Sequence, residues 1–523
     1  MSRLHPVTAL TKTLGYAVQW ASVPFFLVSI LSGAFDVVRI DWVFSLAPVG
    51  FLLGAAYGLA EYYRFEYELS EDTFDLASGV FSRRDREIPF RRVQNVDVSR
   101  GIVQRLLGLA VVSIETAGGG DTEATLRYVG EGEANWLQRE IRRLTAEDDE
   151  TEADEREGLD PDPTERPEPA TAGTSGDRRP THLFELDQVE LGLLSLTTAK
   201  LSASMVVAVV TAFGGDTALG LVLSLARPFG GPAQLAGASP LEYAALALSS
   251  ALYGAVATYL VGVVYTFVGY YGFRIGEAGD DLVYERGLLQ RYSGSIPTEK
   301  IQTLSIVENP LQRAIGYAGL RIETAGYGPD GGGGNQSAIP LAKRSRVERF
   351  VARATGIESG DFDRPPTMAR RRYLVRYSLL AAAVVAAAGA AGVVWDLPLW
   401  YASALAFVAA PVGAHLRWTN LGYDLRENHL LVQEGFWRRR THVVPYYRLQ
   451  TVSTRRTVFQ RRLGLASLVI DTASSRTFVR GTPTIHDLSL STARSIHADC
   501  RERLEDARRT RAREERALSV AFT

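Results

Sequence analysis

A single cysteine, Cys500, in 523 residues excludes a disulfide framework within the chain and any zinc site built on thiolates. Histidine is scarce too, with seven residues and no pair at metal-ligand spacing, so no metal site is expected. Lysine is almost missing: Lys12, Lys200, Lys300 and Lys343 are the full set, and arginine supplies the remaining positive charge. That bias reads as genomic base composition or salt adaptation before function. A formal net charge of −2 removes any case for nucleic-acid binding from overall charge. The glycine run Gly328 to Gly334 lacks a following Lys-Ser/Thr and a helix, so a flexible loop is expected there rather than a phosphate cradle. No nucleophile–base pair recurs. The chain is expected not to be an enzyme, with no catalytic, cofactor or metal-binding residues.

What is present is apolar sequence in blocks, with the charges filling the gaps. A helix needs about 20 mostly apolar residues to cross a bilayer. Six runs qualify, in pairs: Leu14 to Phe35 with Val43 to Tyr63, Lys200 to Gly220 with Leu241 to Gly269, and Tyr377 to Trp395 with Leu399 to His415. The fifth, rich in alanine, is the weakest by transfer energy, and its small surface suits helix packing. No charged n-region and cleavage site mark a signal peptide, so the first run is expected to stay in the mature protein. Loops within the pairs are poor in arginine. Those between pairs are rich in it, as at Arg83, Arg84, Arg86, Arg91 and Arg92, and at Arg370-Arg371-Arg372. The positive-inside bias then puts both termini and all three long polar segments in the cytoplasm of a multi-pass cell-membrane protein.

The polar segments repeat one pattern. Gly79-Val-Phe-Ser-Arg-Arg, Ile88-Pro89, Arg92-Val-Gln94, Gln104-Arg105-Leu-Leu-Gly108 and Ile114-Glu-Thr-Ala117 form the first copy. The second reads Gly287-Leu-Leu-Gln-Arg291, Ile296-Pro297, Lys300-Ile-Gln302, Gln312-Arg313-Ala-Ile-Gly316 and Ile322-Glu-Thr-Ala325. The third reads Gly435-Phe-Trp-Arg-Arg439, Val444-Pro445, Arg448-Leu-Gln450, Gln460-Arg461-Arg-Leu-Gly464 and Ile470-Asp-Thr-Ala473. The landmarks keep their spacing in all three, and each copy follows a helical pair. Short alternating runs such as Phe65-Glu-Tyr-Glu-Leu69 predict strands, and each copy ends in a helical stretch: Ala134 to Leu144, Ser345 to Thr355, Leu488 to Arg516. The glycine at 79, 287 and 435 fits a turn of positive φ, and the proline at 89, 297 and 445 a strand start or edge.

The basic-apolar-Gln element, Gln-Arg-x-x-Gly and the Ile-x-Thr-Ala strand resemble the bacterial pleckstrin-homology-like membrane proteins of the YdbS/YdbT type, over nearly the whole chain. Tyr317, where the other copies have leucine, Asp471 in place of glutamate, and about two extra residues near Gly276 to Asp281 depart from the pattern. The resemblance implies a multi-domain α+β membrane protein. About six transmembrane helices in three hairpins would each be followed by a bent, seven-stranded pleckstrin-homology-like sheet closed by a C-terminal helix. The boundaries read as follows: hairpin 1 over 1–62, domain 1 over 63–145, and an acidic, proline-containing disordered linker over 146–182. Hairpin 2 then covers 183–270, domain 2 271–357, a linker 358–372, hairpin 3 373–418, domain 3 419–510, and a tail 511–523.

Among the repeated residues, the amides of Gln94, Gln302 and Gln450 are expected to satisfy buried backbone groups. Arg105, Arg313 and Arg461, before Gly108, Gly316 and Gly464, are expected to pair with the acid ten positions on, Glu115, Glu323 and Asp471. The basic turn is different in kind. Arg83, Arg84 and Arg86 in copy one, and Arg438, Arg439 and Arg440 in copy three, form a loop able to bind anionic headgroups, or else a solvated turn. Copy two has Tyr292-Ser-Gly there. The function expected is a non-enzymatic membrane scaffold, binding membrane lipids, a protein partner, or further chains as a homo- or hetero-oligomer. The alternative, to which the family resemblance lends weight, is a component of transport or of envelope protection against toxic peptides.

Overall fold

The long apolar runs fold as helices. In the computed structural model, residues 4–34, 42–70, 72–116, 124–141, 143–144, 181–198, 215–279, 281–324, 337–357, 360–395, 400–472 and 482–521 are described. The first pair is α1 (Val7–Ala34) and α2 (Trp42–Tyr63). Gly50, Gly54 and Gly58 recur every four residues along α2. A Cβ at each would overlap the carbonyl of Trp20, Tyr16 and Lys12 in turn, so the two backbones touch along a row of small residues. The second pair differs from expectation. A helix Gln188–Thr197 comes first, residues 199–214 lie outside the described set, and helices Gly215–Ala226 and Pro240–Tyr270 follow. In the third pair, Thr367–Trp395 is one helix. Its partner is divided between a 3-10 segment, Trp400–Leu405, and a 14-residue helix, Ala406–Thr419, that continues directly from it. Among the described residues two helices are long and apolar enough to cross a bilayer: Leu241–Tyr270, of mean hydropathy 1.7, and Thr367–Val394, of 2.0.

Copy one contributes β1 (Glu66–Leu69), β2 (Thr73–Ser78), β3 (Arg84–Pro89), β4 (Val93–Arg100), β5 (Leu109–Thr116) and β6 (Ala124–Gly130). Strand β7 (Thr181–Glu185) precedes the second helical pair, so the end of the expected linker and the start of hairpin 2 are strand; residues 145–180 lie outside the described set. Copy two supplies β8 (Arg274–Ala278), β9 (Asp281–Arg286), β10 (Arg291–Pro297), β11 (Ile301–Glu308), β12 (Tyr317–Thr324) and β13 (Ser337–Lys343). Copy three supplies β14 (Gly422–Leu425), β15 (His429–Glu434), β16 (Arg439–Pro445), β17 (Leu449–Arg455), β18 (Leu465–Thr472) and β19 (Thr484–Ser489). Each copy therefore has six strands among the described residues, where seven were implied. The prolines sit at the end of the third strand and not its start. Pro89 (φ −61°, ψ 137°) and Pro445 lead into a one-turn 3-10 helix, where the missing N–H removes no ladder bond. That turn separates strands one to three from strands four to six. The turn glycines have the expected positive φ, 108° at Gly79, 106° at Gly287 and 86° at Gly435.

A closing helix lies over each second half: residues 131–141, Arg344–Thr355 and Leu490–Ala521. Leu137 and Ile141 reach a core with Phe74, Phe90, Val112 and Leu126, all fully buried. Ile496 and Cys500 do the same with Tyr446 and Leu468. Burial pushes the Cys500 thiol up to about 12, which makes it an inert core residue. The last helix runs through residues expected to be a tail. Within the expected 358–372 linker, Asp363 bridges to Tyr423, and the helix begins at Thr367.

The chain divides into two compact units, and the division falls inside copy two. Residues 276–300 belong with copy one, whereas 301–325 and 334–523 form the second unit together with 183–275.

Candidate functional site

Strand pairing crosses the boundaries between copies. In the first unit the sheet order runs β6-β5-β4-β10-β9, so the fourth strand of copy one is hydrogen-bonded to the third strand of copy two. In the second unit the order β13-β12-β11-β16-β15-β14 repeats this between copies two and three. The registers agree. Arg100 lies opposite Arg291, and the equivalent Glu308 lies opposite Arg439.

The repeated glutamines help set this geometry. Opposite the fifth strand, the register slips between Val93 and Asn95, between Ile301 and Thr303, and between Leu449 and Thr451. Gln94, Gln302 and Gln450 are therefore the extra residue of a β-bulge, which bends the fourth strand. Gln302 is buried but Gln450 is exposed, so a buried amide is not common to the copies. The other glutamine of the motif caps the short helix after the fourth strand: Asn309 N donates to Gln312 Oε1 at 3.0 Å, and Thr457 N to Gln460 Oε1 at 2.9 Å. Gly101 N donates to Gln104 Oε1 in the same way. Gly108, Gly316 and Gly464 end that helix with φ of 65°, 73° and 64°. Their carbonyls receive the first N–H of the closing helix from Glu131, Arg344 and Leu490.

This short helix aims the repeated arginine away from the expected acid. Arg105 Nη1 donates to the Leu288 carbonyl at 3.1 Å, and Arg313 Nη1 to the Phe436 carbonyl at 3.0 Å. Leu288 and Phe436 are equivalent: each follows the turn glycine of the next copy. Arg313 also lies over the Phe436 ring, 5.2 Å from its centroid, and burial with the nearby Arg439 lowers its pKa. Glu323, its expected partner, instead accepts from Ser305 Oγ at 3.4 Å. The arginine is an inter-copy clamp. Arg461 has no such acceptor among the described residues.

Side chains along the two junctions differ. In the first, Gly294 leaves room for Asp97, since a Cβ there would overlap the Asp97 carboxylate. Arg100 is neutralised by Glu131, and Arg291 by Glu285 at 3.6 Å. In the second, Ser305 Oγ and His442 Nδ1 lie 2.8 Å apart, both buried. Glu308, only 2% exposed, accepts from Arg439 Nε at 2.5 Å and Arg344 Nη1 at 3.3 Å. Next to them, burial would raise the Glu434 carboxyl, but His442 at 3.5 Å and His486 at 3.3 Å hold it down to about 2. Among the described residues no three such groups are placed to hold a metal.

The two basic turns expected to act alike do not. Arg83, Arg84 and Arg86 in copy one are exposed, with Arg83 paired to Asp85 at 3.1 Å. Arg439 in copy three is committed to Glu308, and Arg440 lies in the sheet opposite Val307. Only Arg438 of that trio is on the exposed turn. Copy three therefore lacks the free arginine cluster that the sequence suggests. A separate polar cavity of ≈ 580 Å³ lies where α1 and α2 meet copy one. Lys12, Tyr16, Gln19, Glu61 and Arg127 line it, with Lys12 Nζ 2.8 Å from Glu61 Oε1.

The family model described as "Bacterial PH domain" matches residues 18–145, 218–355 and 378–504, more than half of the chain. Each match begins within the helical pair, so the repeated unit includes it. The chain is 24% identical over 486 residues, 90% of its own length and 93% of the relative's, to the UPF0699 transmembrane protein YdbT of Bacillus subtilis (strain 168). No solved structure matches it.

Proposed function

Because the chain belongs to the bacterial PH domain family, we propose that it is a non-enzymatic, multi-pass membrane scaffold whose PH-like domains recognise protein through their strand edges. Six helices in three hairpins would hold the domains on the cytoplasmic side, as the arginine asymmetry between loops suggests. What carries this reading is the junction built twice on one plan, with Arg105 and Arg313 each clamped on the next copy's turn carbonyl. An edge used this way binds protein by main-chain pairing and takes specificity from the flanking side chains. Anionic headgroups are a secondary ligand of the copy-one turn alone, where Arg83, Arg84 and Arg86 are exposed.

The test is limited proteolysis of membranes bearing the full chain. Arg313→Ala and Glu308→Gln should speed cleavage between copies two and three while leaving the chain membrane-inserted. An unchanged rate and pattern would remove the junction as the domains' means of contact, and the scaffold reading with it. Protease outside intact cells should leave residues 145–180 uncut; cutting there would reverse the topology.

A transport or envelope-protection role is the second reading. It is favoured by the polar cavity with Lys12 and Glu61 at the ends of α1 and α2, since ionisable groups within membrane helices often mark a pathway.

A further inference from the structure

Each copy has a third-strand edge and a fourth-strand edge, and the chain joins them in one way. β4 takes β10 and β11 takes β16, in one register. Among the described residues β17, the fourth strand of the last copy, has no strand beside it other than β18. Gln450, Thr451, Ser453, Thr454 and Arg455 along it are exposed. Proteins usually blunt such edges with charge, proline or bulges. Here Arg455 is the sole charge in the strand, and the bulge at Gln450 lies at its far end. The clamp is also retained: Arg461 is equivalent to Arg105 and Arg313, and its guanidinium has no partner among the described residues.

Charge says what the edge would take. Arg456 stands where Arg100 and Glu308 stand in the other copies. Each of those is balanced within its own copy by the first residue of the closing helix, Arg100 by Glu131 and Glu308 by Arg344. In copy three that residue is Leu490. Arg456 has no carboxylate among the described residues and rests on the carbonyls of Leu465 at 3.2 Å and Arg461 at 3.4 Å.

Resting on the scaffold reading, we infer that β17 docks the third strand of a PH-like domain on a different polypeptide, one with acidic side chains opposite Arg455 and Arg456 and a turn carbonyl for Arg461. A second copy of this chain does not fit. In the shared register its β3 would set Arg84 against Arg455 and Arg83 against Arg456. Moreover β3 is guarded by exposed Arg84, Asp85, Arg86 and Glu87.

The test places photoreactive benzoylphenylalanine at Thr454 in the full chain, irradiates native membranes, and maps the adduct by mass spectrometry. The expected adduct is with the third strand of a PH-like domain on another chain, at least tenfold weaker with Arg455→Glu and Arg456→Glu together. An adduct with a second copy, with a protein lacking such a domain or with lipid overturns the inference, as does the absence of any adduct. A second experiment needs no partner. Arg83→Glu with Arg84→Glu supplies the missing acids, so the full chain should then self-associate in mild detergent and revert when Arg455→Glu and Arg456→Glu are added. No gain of association overturns the charge argument. Val307→Cys with Arg440→Cys, opposite each other in the second junction, should form an intrachain disulfide in every case; its failure would count against the scaffold reading and not against the β17 partner.

Discussion

β11 and β17 are the same strand of the repeat in two settings. β11 is sandwiched between β12 and β16, and Gln302, Thr303, Leu304, Ser305, Ile306 and Glu308 are all buried. In β17, the matching Gln450, Thr451, Ser453 and Thr454 are exposed, Val452 is half-buried, and Arg456 stands in the place of Glu308. One motif thus makes a core strand where a neighbour covers it and a surface strand where, among the described residues, none does. Burial follows the partner, and the charge at the matched position follows burial. An isolated buried carboxylate would be costly, and Glu308 is there because Arg344 and Arg439 come with it.

The comparison can be broken most severely at that carboxylate. Glu308→Ala leaves Arg439 and Arg344 facing each other, and removing one partner of a buried ion pair typically costs about 3–5 kcal/mol. Thermal unfolding in detergent should show it, whereas Arg456→Ala should cost under about 1 kcal/mol; equal losses would mean β17 is covered as β11 is. Next in size is pH. Glu434 ionises at about 2 in the folded chain against an ordinary 4.5, so its contribution is complete above 4.5 and is lost as pH falls toward 2. The shift corresponds to roughly 3 kcal/mol at most, and Glu434→Gln should flatten the acid limb of stability against pH.

Smaller effects separate the clamps. Arg313→Ala should destabilise by about 1–3 kcal/mol, as expected for a hydrogen bond lost from a partly buried site, and Arg461→Ala by less than about 0.5 kcal/mol. Hydrogen exchange sharpens the comparison without mutation: amides of 304–308 should exchange markedly more slowly than those of 452–456. The smallest effect is on lipid. Arg83→Glu with Arg84→Glu should weaken association of the copy-one turn with anionic membranes by about 1 kcal/mol per charge at low salt. Arg439→Glu should act through unfolding instead, because that side chain belongs to the junction.

Much of this was legible from residue order. The first and third helical pairs, the threefold repeat, the positive-φ glycines and the closing helices follow from hydropathy, periodicity and the demands of a tight turn, all of which are local. The roles of the repeated arginines were not. Arg105 and Arg313 look alike to the sequence whether they reach Glu115 and Glu323 or a carbonyl 183 or 123 residues away, and spacing favours the nearer acid. One signal was available: the position held by Arg100, Glu308 and Arg456 changes charge between copies whose other landmarks are constant.

By itself, then, the sequence determined three membrane-linked PH-like copies, since local patterning suffices to form their helices and strands. Which strand edges are joined, why Arg439 is bound while Arg83 is exposed, and why β17 is left open were decided only by tertiary structure. Main-chain pairing between copies depends on which edges meet in space, and a side chain's partner is whatever that meeting brings within about 3 Å of it.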